Sequence, residues 1–410
     1  MKIVIETKRK SMKKHFGAGW HFNRLLVGAF VLVLLVLTLT AWSSGGFGLT
    51  QAGNSTANAT TAMPQWTHIG PQLCPKQVAD PKHWNPIVGV QGGQKVESVS
   101  CGNLLNNPSL QALLTVRNPG SDRLLDVYVY VYTNITSDHP TQLFKLQGLN
   151  RGKAKISNYN TVITAEGDLH SSINKGRPPA KLTLDLFREF RGFDTAGTFV
   201  QVVFPGMFPD PTRWQAEADQ QKVNNGQDSW QLDAVKTAQH FAEQLLRTGG
   251  TATLVSGGGR NDLDALVNLA FPSPGGGGPA RTTKVTLSRL EGNARGIWEV
   301  TADDADWMYI SSPQQGLNTH ISSPVTVTGF GPQFEAQIGV VWVLDHLSNK
   351  IGQAFAMAPS GSSPPTTFTV TFSYTSSFRA GAQEGSVELL HAGGAAFDYG
   401  AVMVKVLVNP

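Results

Sequence analysis

Only two of the 410 residues are cysteine, Cys74 and Cys101. No histidine flanks either at ligand spacing, so a cysteine-based zinc site is excluded. Catalytic signatures are missing as well. The chain holds no Gly-x-Ser-x-Gly elbow, no His-Glu-x-x-His and no Cys–His arrangement. Two glycine-rich stretches, Gly257-Gly258-Gly259-Arg260 and residues 275–278, lack the Gly-Lys-Ser/Thr that a phosphate loop needs, and they read as plain loops. A basic body is missing too. The formal charge is +4, but the first 24 residues carry seven bases and one acid, leaving 26 bases against 28 acids. That balance argues against a nucleic-acid-binding body, which needs a basic face for phosphate.

Long apolar runs are likewise scarce, with one exception at residues 25–42, LLVGAFVLVLLVLTLTAW, which holds no charge. At 1.5 Å per residue it spans roughly 27 Å, about the hydrocarbon core of a bilayer. The basic tail at 1–24 precedes it, so the expected topology keeps the N-terminus in the cytoplasm and sends the rest outside. The tail also has the charge to rest on anionic lipid, at about 1 kcal/mol per base. An uncleaved anchor fits the length of the run and of the segment before it. The alternative is a cleaved signal, for which Ala41-Trp42-Ser43 offers a small-x-small site. Outside the cell disulfides persist, and a Cys74–Cys101 bridge is expected. Its loop of about 28 residues corresponds to roughly 3–4 kcal/mol on the chain-entropy account.

Residues 43–65 are Gly, Ser, Thr, Asn and Ala without apolar period, a flexible stalk of about 25 Å reach. Asn54-Ser55-Thr56 and Asn58-Ala59-Thr60 fit the glycosylation sequon. Residues 66–210 read as a mainly-β domain. Its clearest strand is LLDVYVYVY at 124–132, where Val127, Val129 and Val131 alternate with Tyr128, Tyr130 and Tyr132. Residues 211–312 read as an α+β domain. Thr212 caps a helix to about Asn224, and an apolar stripe predicts a second helix from near Asp228 to about Arg247. Strands are then expected at 251–255, 263–271, 283–290 and 296–301. From 320 to 410 the pattern is all β, with strands at 325–328, 334–344, 351–358, 368–374, 386–390 and 402–408, which predicts a β-sandwich. The fold class expected for the whole is therefore multidomain: an N-terminal transmembrane helix, a mainly-β domain, an α+β domain and an immunoglobulin-like β-sandwich.

Motifs in the last segment fall in a familiar order. Ile321-Ser322-Ser323-Pro324-Val325-Thr326-Val327-Thr328-Gly329 is followed by Phe334-Glu335-Ala336, an Asp345 turn, Gly385 before Val387-Glu388-Leu389, and a closing valine-rich strand. This fifth of the chain resembles the bacterial spore-germination immunoglobulin-like domain. The resemblance implies an immunoglobulin-like fold on the cell exterior in a non-catalytic role, and carries no binding residues over. The stretch from Asp185 to Glu217 also resembles a segment of uncharacterised exported bacterial proteins.

Remaining candidates for chemistry have plainer readings. Glu335 is expected in a strand as a structural carboxylate. Asp303, Asp304 and Asp306 lack calcium-loop spacing and read as a solvated turn, with Trp307-Met308-Tyr309 as a following strand. Arg188 with Glu189, and Arg213 with Glu217 at helical spacing, read as structural charge pairs. His240 is expected to face solvent, and the seven tryptophans beyond the anchor are expected mostly in cores. No cofactor, catalytic residue or metal ligand is expected. The expected partners are the bilayer at residues 25–42 and an envelope protein or cell-wall glycan. The leading reading is a membrane-anchored, non-catalytic binding or scaffolding protein of the bacterial envelope. Its rivals are an exported cell-wall hydrolase and a ligand-sensing ectodomain with a membrane partner.

Overall fold

Alternation in the valine and tyrosine run is where the first layers are decided. In the computed structural model this run forms β3, and its two faces enter different cores. Val127, Val129 and Val131 pack on one side with Ile156, Val162 and Phe190. Tyr130 and Tyr132 pack on the other with Trp84 and Cys101. The structure describes residues 70–410, apart from 119–125, 195–196, 247–248, 272–280, 292–294, 334, 364 and 394–396. The expected tail, membrane helix and stalk lie outside the described residues, as does the stretch 275–278. Among the described residues no helix is long and apolar enough to cross a membrane.

Helix α1 (Pro81–Val88) opens the described chain. No helix was expected here, although Asp80 caps it, Pro81 starts it and left-handed Gly89 ends it. An antiparallel sheet follows: β1 (Lys95–Gly102), β2 (Gln111–Arg117), β3 (Asp126–Thr133) and β4 (Thr141–Asn150), in that order. Trp84 of α1 is fully buried against it, 5.3 Å from Tyr132 by ring centroids. The Cys74–Cys101 disulfide, with 5.2 Å between Cα atoms, fastens the preceding loop to β1. A second antiparallel sheet, β5 (Lys153–Ile156), β6 (Val162–Glu166), β7 (Leu186–Phe193) and β8 (Thr198–Val202), covers the valine face of the first.

Beyond β8 the chain runs through 203–212 into α2 (Arg213–Asn224). The N-cap is as expected: Thr212 accepts from the Gln215 N–H. Thr212→Ala is expected to cost about 1 kcal/mol, read as a shift in the urea midpoint with unchanged slope. The expected second helix is shorter. Residues 229–232 form a 3-10 turn, Asp228 before it is left-handed, and α3 runs Ala234–Gln244. Asp233 breaks the pattern because its carboxylate caps the N–H groups of Val235 and Lys236. The apolar stripe survives: Ala234, Ala238, Phe241 and Ala242 are buried. They pack on β9 (Thr251–Gly257), β10 (Asp264–Phe271), β11 (Arg281–Ser288) and β12 (Glu299–Asp304), an antiparallel sheet in the order β12-β11-β10-β9.

Eight further strands complete the chain: β13 (Tyr309–Ser312), β14 (His320–Ile321), β15 (Val325–Gly331), β16 (Gln337–Leu344), β17 (Lys350–Met357), β18 (Thr366–Phe372), β19 (Gln383–Gly393) and β20 (Phe397–Val408). One sheet has the order β13-β15-β18 and the other β14-β20-β19-β16-β17, with β14 parallel to β20. Val327, Val341, Val343, Phe368, Leu389 and Val406 fill the core between them, so this region is a β-sandwich. The outer face of the larger sheet is covered too. Its Leu344, Leu390, Ala401 and Met403 share one core with α3 and β9–β12. All the described residues belong to one compact unit, Ala62–Pro410.

Candidate functional site

The densest chemistry lies where the segment 203–212 threads between the sheets. Backbone bonds tie it to its neighbours: Val203 N–H donates to the Leu317 carbonyl, Met207 N–H to the Val300 carbonyl and Val300 N–H to the Phe208 carbonyl, at 2.7–2.8 Å. Gly206 is needed here. A Cβ at that position would sit 2.4 Å from the Phe204 ring and 3.1 Å from Glu299 Oε2.

Each surrounding element sends a charged side chain to this segment. From β7, Glu189 Oε1 accepts from Arg213 Nε at 2.7 Å and from Thr161 Oγ1 at 2.7 Å. Glu291 lies 3.6 Å from the same guanidinium. Arg213 also stacks on Tyr159 at 4.1 Å and Phe204 at 4.9 Å. Burial alone would lower its pKa, but Glu189 and Glu291 reverse that and hold it charged. From the C-terminal sandwich, Glu384 and Lys405 pair at 3.1 Å, both almost fully buried. Lys405 Nζ donates to the Gly206 and Pro211 carbonyls, and Glu384 accepts from Phe204 N–H at 3.2 Å. From β12, Glu299 accepts from Asp210 N–H at 3.3 Å, and both of these acids are buried. A second clamp lies nearby. Arg188 pairs with Glu166 and stacks on Phe378 at 5.3 Å, and Ser377 Oγ donates to Asp168 at 2.8 Å.

These carboxylates titrate far from their ordinary range. Burial pushes Glu291 and Glu384 up to about 7, against the pull of Arg213 and Lys405 respectively. Asp210 and Glu299 are both raised, chiefly by burial and next by neighbouring carboxylates, Asp219 for Asp210 and Asp210 for Glu299. Raised carboxylates are what a hydrolase uses as acids. Such a role needs a substrate space beside them. Glu384 and Lys405 line a cavity of about 20 Å³, enough for about one water and far below the usual few hundred Å³ of a ligand pocket.

The expected charge pairs are re-partnered. Arg188 and Glu189 are neighbours on a strand, so they point to opposite faces and pair with Glu166 and Arg213. Glu217 pairs with Lys155 at 2.7 Å, not with Arg213 one helical turn away. Asp303 does not lie in a solvated turn. It sits in β12, buried, accepting from Met403 N–H at 2.9 Å, and burial raises its pKa strongly. Asp304, which ends β12, and Asp306 are both exposed, and Asp306 lies 3.3 Å from Lys284. Glu335 is not in a strand: it and Ala336 are left-handed, at φ 48° and 68°, in the turn before β16. Asp306 and Trp307 form a turn, Met308 closes it by bridging to Ala305, and Tyr309 begins β13. His240 is half-covered, its ring 4.4 Å from Trp230. The sequence reading missed Glu166, Asp210, Glu291, Glu299, Glu384 and Lys405. Lys405 had a visible sign, as a single charge inside the apolar run VMVKVLV, where a lysine stays only with partners. No protein-family model matches the chain, and no curated protein matches it.

Proposed function

We propose that the chain is a non-catalytic binding or scaffolding protein of a bacterial envelope, anchored by residues 25–42 with its body outside. The observation that carries this reading is the use made of the charged groups. Glu189 pairs with Arg213, which stacks on the Phe204 ring, and Glu384 pairs with Lys405, both of which bond to the 203–212 main chain, so that these groups fasten three sheet systems into one body. A body braced in this way suits a role of presenting surfaces in fixed relation. The Cys74–Cys101 disulfide supports an oxidising compartment.

Strand order supports an immunoglobulin-like reading of the C-terminal sandwich. β15 pairs with β18 in one sheet, and β20-β19-β16-β17 run side by side in the other. Counting β15 as B, β16 as C, β17 as C′, β18 as E, β19 as F and β20 as G, the larger sheet follows the G-F-C-C′ order of a variable-type domain, which supports the reading. A link to spores or germination rests on the resemblance of this segment alone.

The test combines location and binding. Full-length protein should sediment with membranes, lose its body to protease added to intact cells, and bind isolated cell-wall material saturably. A chain found in the soluble cytosolic fraction overturns the anchored reading. A correctly displayed chain with no saturable retention overturns wall binding in favour of a protein partner in the membrane.

A further inference from the structure

Away from the charged junction, a cleft of about 670 Å³ opens between the end of α2, the start of α3 and one end of the β9–β12 sheet. Its volume is within the usual range for an organic ligand. Its lining has two parts. Leu232 and Leu254 supply an apolar wall and are 39% and 44% exposed. Arg260, Arg289 and Arg295 supply the other wall, from three separate places in the chain.

Arg289 sets the geometry of the polar wall. It is buried, with its guanidinium carbon over the Trp298 ring at 4.2 Å. Its Nε donates to the Asp262 carbonyl at 3.0 Å, and its remaining nitrogens reach the Gly296 and Gly259 carbonyls. One guanidinium thus pins both the loop that carries Arg260 and the loop that carries Arg295. Gly257 and Gly258, left-handed at φ 64° and 78°, turn the chain from β9 toward Arg260. One acid, Asp233, shares the lining with the three arginines, which leaves the cleft net basic. Asp233 accepts from the first N–H groups of α3, and Asp262 accepts from Gly259 N–H at 2.8 Å. Arg260 and Arg295 are exposed at the mouth. Arginine forks suit oxyanions, which accept two parallel N–H bonds from one guanidinium.

We propose that this cleft binds an anionic amphiphile, with an oxyanion head on the arginine wall and an apolar arm along Leu232 and Leu254. The inference goes beyond the envelope reading and does not depend on it.

The probe is octyl phosphate, kept below its micelle concentration and titrated into the full-length chain by calorimetry. Inorganic phosphate and octyltrimethylammonium serve as the two half-probes. Octyl phosphate should bind saturably, roughly tenfold or more tighter than inorganic phosphate, because the arm buries apolar surface. Arg260→Gln with Arg295→Gln should weaken it by roughly tenfold or more, through lost charge-assisted bonds. Both positions are exposed, so folding should survive, and an unchanged urea midpoint checks this. Leu254→Ser should weaken octyl phosphate while leaving inorganic phosphate unchanged. Equal binding of octyltrimethylammonium, undiminished binding by the double variant, or no binding of octyl phosphate each overturns the proposal.

Discussion

Arg213→Met should destabilise the body by about 3–5 kcal/mol, the usual cost of removing one partner from a buried ion pair. The residue is 3% exposed and faces two carboxylates, Glu189 and Glu291, that are also buried. Methionine would fill much of the space and keep contact with the Tyr159 and Phe204 rings. It would leave Glu189 accepting only from Thr161, and Glu291 without the cation that lowers its pKa. The loss therefore measures uncompensated charge more than lost packing. Urea titration should show a lower midpoint with an unchanged slope. Adding Glu189→Gln to the variant should recover part of the loss, since the amide removes a buried charge and still accepts from Thr161. The exposed Arg117–Glu97 pair is the control, and breaking it should change stability by about 1 kcal/mol or less. A cost for Arg213→Met as small as that control would mean that Arg213 does not hold the junction together.

Why this junction was invisible in the sequence follows from its construction. Arg188 and Glu189 are adjacent, so pairing them looks natural, but strand geometry sends them apart. Their partners, Glu166 and Arg213, lie 22 and 24 positions away, and no local pattern encodes that distance. Glu384 and Lys405 face the 203–212 segment from almost 200 positions further along the chain. Elements whose physics is local were readable. The valine–tyrosine alternation of β3, the Thr212 cap and, apart from the turn at Glu335 and Ala336, the strands expected for the sandwich stand close to where their periods and turn residues put them. Between these extremes is the outer face of the sheet formed by β14, β20, β19, β16 and β17. Trp342, Leu344 and Met403 on that face read as one side of an ordinary sandwich, yet they pack against the core that holds α3. A period-two pattern tells which residues share a face, but not what will cover it. The arginine cleft has the same character: its three guanidinium groups come from positions 260, 289 and 295 and meet only because β9–β12 fold as a meander.

Thermal stability should fall as pH rises from about 5 to about 8.5, with the Asp210–Glu299 pair as a principal cause. Burial lifts both acids above their unfolded values; Asp219 raises Asp210 further and Asp210 raises Glu299, while the hydrogen bond from Glu299 pulls Asp210 part of the way back. Between the unfolded and folded pKa values the folded chain therefore binds more protons than the unfolded chain, and stability declines with pH across that interval. For Asp210 the interval runs from 3.8 to about 8. Glu291 and Glu384 act in the same direction, from 4.5 to about 7. The contributions of Asp210, Glu291 and Glu384 are fully present below their unfolded values and are lost as pH passes through about 7 to 8, and Glu299 acts in the same direction. Asp210→Asn separates the pair from the other two. The amide cannot ionise, it can donate to Glu299 in place of the shared proton, and the 210 main-chain N–H bond is kept. The variant should be more stable than the parent at pH 8.5, little changed at pH 5, and visibly flatter in between. Scanning calorimetry at half-unit steps reads all three. A parent whose melting temperature rises over this range, or a variant with the same slope as the parent, would show that Asp210 and Glu299 are not buried together. The consequence for the body is mechanical: the acids sit where the 203–212 segment joins β12, so alkaline conditions should loosen that joint before the sheets themselves melt. Hydrogen exchange at pH 8.5 should accordingly rise first at the Met207 and Val300 amides, which bond across it.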